Sequence, residues 1–398
     1  MTEKNHKQIL EGSHAIALTI KNIAPAVVSA YPITPQTHIV EDLAKFKANG
    51  QADFEYVRAE SEFAAASIIL GASAAGSRVY SATSSQGLLL MAEVVYNISG
   101  LRLPIVMTAA NRAISSPINI WNDHSDVMSI RDAGWIQLFA ANHQEAVNAH
   151  ILAYKLAESL KLPVMVNVDG FILTHSYESV IIPESEQIRE FLPDYRAEKG
   201  TYLDPENPAT LGAFFTPEHY METREALHED MIASLETIKK EYRLFQKVFK
   251  DEIGLASMPN KTGFSDDGLI EYYGPAKPET ILVALGSLVG TIMETIKDRK
   301  NIGLLKIKVY RPFPAEAINK IIARAKNIAV VEKAINFGQA GPVYSDIKAG
   351  LSGAEAKNLN IRSYVVGLGG RDVTQKMIAR IIKDAAHGDQ AVSFVGHD

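Results

Sequence analysis

The sequence predicts an α/β protein: a doubly wound parallel sheet followed by a second, smaller α/β domain. Three observations carry this. Short apolar runs rich in β-branched residues alternate with helix-period segments, the pattern of βαβ construction. A polar stretch punctuated by Pro183, Pro193, Pro205, Pro208 and Pro217 interrupts the alternation, which then resumes. The 398 residues suffice for two or three domains at about one per 150 residues.

Residues 1–175 form the first expected domain. They read as helix 12–22, strand 26–30, helix 37–47, strand 54–57, helix 61–75, strand 78–82, helix 86–97, strand 104–110, helix 144–158 and strand 163–168. The strands are runs such as Ile105-Val106-Met107, while helix 61–75 is alanine-rich with almost no polar residue, which implies burial. Residues 176–262 form a connecting segment ending in a long helix, 219–250. There Met231, Leu235, Ile238, Tyr242, Phe245 and Phe249 recur at alternating steps of four and three and so share one face. That face packs across the domain junction or receives a partner. The second domain, 263–398, reads as strand 280–285, helix 289–296, strand 304–310, helix 315–325, strand 328–332, helix 342–349, strand 361–366 and helix 373–386.

Composition excludes several chemistries. The net charge of −6, from 40 Lys plus Arg against 46 Asp plus Glu, provides no basic stripe for nucleic acid. With no cysteine, the chain alone holds no disulfide, thiolate nucleophile, Cys-type zinc site or iron–sulfur cluster. The polar amino terminus lacks an apolar signal core, and runs such as Leu88 to Met91 are too short to span a bilayer. A cytoplasmic protein without membrane contact is expected. Gly367-Leu368-Gly369-Gly370-Arg371-Asp372 follows a strand but lacks the full dinucleotide fingerprint, and no phosphate loop ending in Gly-Lys-Ser or Gly-Lys-Thr occurs.

In open α/β sheets ligands bind beyond the carboxyl ends of the strands. Four loops stand out there. Tyr31-Pro32-Ile33-Thr34-Pro35 is stiffened by two prolines and presents the Thr34 hydroxyl, although a rigid turn before the next helix explains it equally well. Glu60 and Glu62 follow the second strand. A helix-start carboxylate needs only the helix dipole, but a buried one needs a specific partner, such as a ligand nitrogen. Thr83-Ser84-Ser85-Gln86-Gly87 supplies hydroxyls and helix-start amides, or simple capping. Asn111-Arg112 places a guanidinium after a buried strand, suited to a carboxylate. The neighbouring Asn122-Asp123-His124-Ser125-Asp126 matches no strong metal-ligand spacing and reads as a hydrogen-bonded loop.

The runs Tyr31 to Gln36, Glu60-Ser61-Glu62, Thr83 to Leu88, Leu101 to Met107, Asn111 to Asp126 and Val365 to Asp372 resemble the α subunits of the 2-oxoacid:ferredoxin oxidoreductase family, those of pyruvate:ferredoxin oxidoreductase above all. The resemblance covers nearly the whole chain. It implies a thiamine diphosphate-binding fold of the pyrimidine-binding type followed by a transketolase C-terminal-like domain. The implied reaction converts pyruvate and coenzyme A to acetyl-CoA and CO₂ with electrons passing to ferredoxin, or the reverse. A β subunit would supply the diphosphate site, Mg²⁺ and a [4Fe-4S] cluster through a Gly-Asp-Gly motif that this chain lacks; γ and δ subunits would complete dimers of hetero-oligomers. Position by position, Glu62 matches the glutamate on the aminopyrimidine N1′, where it favours the imino tautomer. Glu60 ranks below it. Thr34 and Arg112 match the residues that hold the 2-oxoacid, with Tyr31, Pro32, Ser84, Ser85 and Gln86 lining the cofactor pocket. Ser13-His14 departs from the Asn-Glu of many relatives. A sister enzyme for 2-oxoglutarate, 2-oxoisovalerate or oxalate, or a non-catalytic assembly subunit, are the alternatives.

Overall fold

The computed structural model describes residues 7–249, 265–351, 359–388 and 390–396. The order in the first half is β1 (Gln8–Glu11), α1 (Gly12–Ile23), β2 (Val27–Ala30), α2 (Thr37–Ala48), β3 (Glu55–Arg58), α3 (Glu62–Ala74), β4 (Val79–Thr83), α4 (Ser85–Leu90), α5 (Ala92–Gly100), β5 (Val106–Asn111), α6 (Ser125–Ser129), β6 (Ile136–Phe139), α7 (His143–Leu160) and β7 (Val164–Asp169). Then come β8 (Tyr177–Val180), α8 (Ser185–Phe191), α9 (Pro217–Val248), β9 (Ser265–Asp266), β10 (Ile270–Tyr273), β11 (Thr280–Ala284), α10 (Leu288–Ile296), β12 (Ile302–Ile307) and β13 (Val309–Arg311). The chain ends with α11 (Ala315–Ile322), β14 (Asn327–Glu332), α12 (Pro342–Gly350), β15 (Asn360–Val365), α13 (Gln375–His387) and β16 (Val392–Phe394).

Two seven-stranded sheets result. The first has the order β13-β6-β7-β5-β4-β2-β3, parallel except for β13, and the second runs β16-β15-β14-β11-β12-β10-β9, with β10 and β9 antiparallel. Strands β4, β5 and β7 are buried along their whole length, as expected when helices cover both faces of a parallel sheet. That burial is why they read in the sequence as continuous apolar runs.

The expected strand 304–310 is in fact two strands. Its first part is β12 in the second sheet, and the chain then crosses to pair β13 antiparallel with β6, Val309 opposite Leu138. Val309 and Tyr310 are fully buried beside Phe139, so one mainly apolar run, interrupted by Lys306 and Lys308, serves two sheets in succession. The expected helix 86–97 divides at Met91 into α4 and α5. Strand β6, the antiparallel β1–β8 pair and the short β9, β10 and β16 have no periodicity long enough to mark them.

Helix α9 packs over α7 and α8 with the face read from its spacing. Met231, Ile238, Tyr242, Phe245 and Phe249 are buried, and Phe191 stands edge-on to Phe245 at 5.4 Å, with Phe249 stacked 4.6 Å beyond. The Tyr242 hydroxyl donates to Asp266, and Lys308 lies over the Tyr242 ring at 3.9 Å and pairs with Asp266 at 3.1 Å. Helix α9 thus bridges the two sheets.

Removing a buried ring leaves a cavity that the packed surroundings fill only in part. Phe245→Ala is therefore expected to lower the free energy of unfolding by about 3–5 kcal/mol, read from the denaturant midpoint. Ile232→Ala, on the exposed side of the same helix, is expected to change it by less than about 0.5 kcal/mol.

Candidate active site

Strands β3, β2, β4 and β5 lie side by side, so the four loops singled out in the sequence open from one edge of one sheet. The Tyr31–Pro35 loop follows β2. It is held from below by Gln36, fully buried, whose amide nitrogen donates to Ala82 O (2.7 Å) on β4 and to Tyr31 O (3.3 Å). Pro35 is buried against Gly170, where a Cβ would come within 2.5 Å of the proline ring. Tyr31, Pro32 and Thr34 remain exposed on the rim. Gln36 has a positioning role that no spacing in the sequence announces.

Glu62 opens α3. The Ser61 hydroxyl caps this helix by accepting from Ala64 N (3.1 Å), and Glu62 in the first turn meets the positive end of the helix dipole. Its side chain is 8% exposed, and no hydrogen bond reaches its carboxylate among the described residues. A Cβ at Gly87 would lie 2.8 Å from Glu62 Oε1 and 2.6 Å from Thr83 Oγ1, so glycine is required there for α4 to approach the carboxylate. Around it, the Thr83 and Ser84 hydroxyls and the Gln86 amide nitrogen are buried with no partner among the described residues. Buried polar atoms are normally paired, and this group therefore fits a polar ligand held against Glu62. Glu60 is exposed and precedes the cap.

Arg112 follows β5 and reaches across the edge: Nη1 donates to Thr34 O and Nε to Asn119 O, each at 3.0 Å. Nη2 has no partner among the described residues, leaving one donor face for an anion. Partial burial lowers the pKa of Arg112 from the ordinary arginine value, with Asp126 opposing. Ser85 has a different task. Its N–H donates to Asp126 Oδ2 (3.0 Å) and its hydroxyl to Ala113 O (2.6 Å), so both its polar groups bind scaffold.

The 122–126 segment is a hydrogen-bonded loop. The Asp126 carboxylate, fully buried, accepts from Ser85 N, Arg112 N (both 3.0 Å) and Val127 N (2.8 Å), joining the loops after β4 and β5. Asp123 accepts from Ser125 N (2.9 Å) and from Gly369 N (3.1 Å). Gly369 and Gly370, both at positive φ, pack onto Asn119 and Trp121, which explains the glycine-rich 367–372 motif as a docking turn. His124 Nε2 meets Asp169 Oδ1 at 2.8 Å. Asp169 also accepts from Lys333 Nζ (2.9 Å) and from Ser287, while Lys333 reaches Asn122 Oδ1 (2.7 Å). Burial alone raises Asp169, but Lys333 and His124 overcome it and hold the carboxyl well below the usual range. Lys333, Ser287 and Asp169 carry no mark in the sequence. Ser13 and His14 lie away from this edge: His14 Nδ1 meets Asp42 on α2 at 2.8 Å.

Residues 19–243 match the family described as "Pyruvate flavodoxin/ferredoxin oxidoreductase, thiamine diP-bdg", and residues 278–378 match "Pyruvate:ferredoxin oxidoreductase core domain II". The chain belongs to the pyruvate:ferredoxin oxidoreductase family. Within it, the chain is 44% identical to pyruvate synthase subunit PorA of Methanocaldococcus jannaschii, covering 98% of this chain and 97% of that one. It is 42% identical to PorA of Pyrococcus furiosus, covering 92% and 90%, and 38% identical to ketoisovalerate oxidoreductase subunit VorA of Pyrococcus horikoshii, covering 95% and 93%. A 2-oxoglutarate:ferredoxin oxidoreductase from Magnetococcus marinus, solved with 2-oxoglutarate, coenzyme A and succinyl-CoA bound, shares the fold with a TM-score of 0.69 and 22% identity. That match covers 96% of this chain and 65% of that one. No helix among the described residues is long and apolar enough to cross a membrane.

Burial pushes the Asp126 carboxyl up to about 7, against the pull of its backbone donors. A carboxyl raised in the folded state keeps its proton where the unfolded chain has lost it, between roughly pH 4 and 7, so its contribution to stability falls as pH rises through that window. Asp126→Asn is expected to show a shallower decline of unfolding free energy across that window than the parent, measured by denaturant titration at stepped pH. Parallel slopes would contradict the assignment.

Proposed function

We propose that this chain is the α subunit of a pyruvate:ferredoxin oxidoreductase, active only with its partner subunits. In the oxidative direction pyruvate and coenzyme A give acetyl-CoA and CO₂ while two electrons pass to ferredoxin. The observation that carries this reading is the convergence of three groups on one sheet edge: the Glu62 carboxylate against unpaired Thr83, Ser84 and Gln86, and the Arg112 guanidinium bonded to Thr34 O beside it.

Thiamine diphosphate, shared with a β subunit and held here by Glu62, Ser84 and Gln86, would supply a carbon nucleophile and an electron sink for decarboxylation. Toward it, Glu62 holds a proton at the aminopyrimidine N1′, and its burial strengthens that hydrogen bond by excluding water. Ser84 and Gln86 offer the remaining polar contacts, with Tyr31 and Pro32 at the rim and Ser85 keeping the loop in place. Arg112 presents Nη2 to the oxoacid carboxylate, and the Thr34 hydroxyl stands at its carbonyl. Because Arg112 is itself tied to the Thr34 loop, the two substrate contacts are held at a fixed separation, which lowers the ordering cost of binding. Mg²⁺ and [4Fe-4S] clusters belong to the β subunit and the remaining γ and δ subunits, consistent with a chain that has neither cysteine nor Gly-Asp-Gly. Dimers of such hetero-oligomers in the cytoplasm complete the proposal.

In the reconstituted complex, Glu62→Gln is expected to lower kcat by about 10²–10⁴ through loss of proton transfer. Arg112→Ala is expected to raise KM for pyruvate by about 10-fold or more. Full pyruvate-dependent ferredoxin reduction in both variants would sink the assignment. Initial rates on pyruvate, 2-oxoisovalerate, 2-oxoglutarate and oxalate are expected to give pyruvate the highest kcat/KM. A sister activity would reverse that order, whereas a pure assembly subunit would leave thiamine diphosphate affinity of the β subunit unchanged on mixing.

A further inference from the structure

A second cluster of ligand-type side chains lies behind the Thr34 loop. Glu11 ends β1, His38 stands in the first turn of α2, and His175 ends the turn between β7 and β8. Their donor atoms all lie within 4.8 Å of one another. His38 Nδ1 is 2.7 Å from Glu11 Oε1, and the His38 and His175 rings face each other at 4.5 Å. We propose that Glu11, His38 and His175 bind one divalent transition-metal ion.

The chemistry of the donor set points that way. Two imidazoles and one carboxylate suit Zn²⁺ and its neighbours in the first transition row, and three protein ligands leave a coordination position open. A tetrahedral ion at the usual bond lengths holds its donors roughly 3.3 Å apart, a spacing within reach of the present separations by side-chain rotation, with the 2.7 Å His38–Glu11 contact opening slightly.

The three segments are already fixed to one another by their backbones. The first amides of α1, Gly12 N and Ser13 N, donate to Ser176 O (3.2 Å) and Thr174 O (3.0 Å). The turn that bears His175 is closed by Phe171 N donating to Thr174 Oγ1 (2.8 Å), and His175 Nδ1 lies 2.7 Å from the same hydroxyl. The contact of His175 Nδ1 with the Thr174 hydroxyl orients the ring and leaves Nε2 to ligate, the outer-shell arrangement that positions histidine ligands. A Glu11–His38 ion pair alone accounts for neither the facing of His175 onto His38 nor its fixed Nδ1. The metal would join the first turn of α2, four residues beyond Thr34, to the Phe171 turn, whose ring stacks on Trp121 at 4.6 Å. It is thus placed to stiffen both walls of the proposed oxoacid site without touching substrate.

The test uses the tag-free full-length chain titrated with Co²⁺, followed by its visible d–d absorption, and with Zn²⁺ by calorimetry. Saturable binding of one ion per chain is expected, with the dissociation constant raised at least about 10-fold in His38→Ala, in His175→Ala and in Glu11→Gln, which keeps the hydrogen bond to His38 but not the charge. Thr174→Val is expected to weaken binding by about 10-fold through loss of the outer-shell partner. His14→Ala, in the separate contact with Asp42, is expected to bind like the parent. Zn²⁺ is expected to raise the melting temperature of the parent and not of a His38→Ala, His175→Ala double variant. Equal Co²⁺ affinity and spectrum in parent and double variant, or no saturable binding to the parent, would overturn the proposal. Because the readouts are binding and stability, they stand apart from the assignment of the catalytic edge.

Discussion

The buried pair between Asp169 and Lys333 is the contact on which the geometry of the site depends. Asp169 ends β7, a central strand of the first sheet, and Lys333 follows β14 in the second; both are nearly inaccessible to water. Desolvating two charges costs several kcal/mol each, which attraction offsets only when every remaining polar position is filled. Here it is: His124 and Ser287 complete the carboxylate, and Asn122 and Ser287 complete the ammonium. Gly286 leaves room for this, since a Cβ there would lie 2.6 Å from Asp169 Oδ1. A pair of this kind is directional in a way that apolar packing is not, so it sets where the second sheet sits over the carboxyl edge of the first.

From that node the loop geometry follows by short hydrogen-bonded steps. Asn122 and His124, held by Lys333 and Asp169, fix the segment that carries Asp126. Asp126 in turn gathers the amides of Ser85 and Arg112, so the loops after β4 and β5 cannot move independently. Arg112 then reaches Thr34 O, and the loop after β2 is included. Glu62 stands outside this network. It owes its position to the Ser61 cap and to the missing side chain of Gly87, and its carboxylate takes no hydrogen bond among the described residues, as its proposed role requires. The division is physically sensible: a scaffold needs its polar groups satisfied internally, whereas a binding group needs them unsatisfied until the ligand arrives.

Much of this was legible in the linear sequence, and unevenly so. The central strands were plain because burial on both faces gives unbroken apolar runs, and α9 because one face of a long helix repeats many times. The 304–310 run was misread as one strand because apolar character reports burial but not the sheet in which a residue is buried. Thr34, Glu62 and Arg112, the residues proposed to act on cofactor and substrate, stand in the segments that follow strands, where an open sheet exposes its loops; Arg112 comes directly after its strand, and Thr34 and Glu62 four residues after theirs. Gln36 and Lys333 could not: one is a glutamine after a proline, the other a lysine after a strand, and only their partners 46 and 164 residues away give them a role. Ser85 shows the converse, a residue in the right loop whose hydroxyl is taken by Ala113 O and whose N–H is taken by Asp126.

What the sequence determined by itself was the alternation of strand and helix, the absence of cysteine chemistry, and the loops where reactive groups could stand, because these are local properties of composition and period. Tertiary structure alone decided which of those groups meet. The strand order places β3, β2, β4 and β5 side by side, buried charge pairs set the second sheet over them, and a two-strand crossover lends β13 to the first sheet. None of these can be read from spacing along the chain, since each is a contact between residues far apart in sequence whose energy exists only once both partners are buried together.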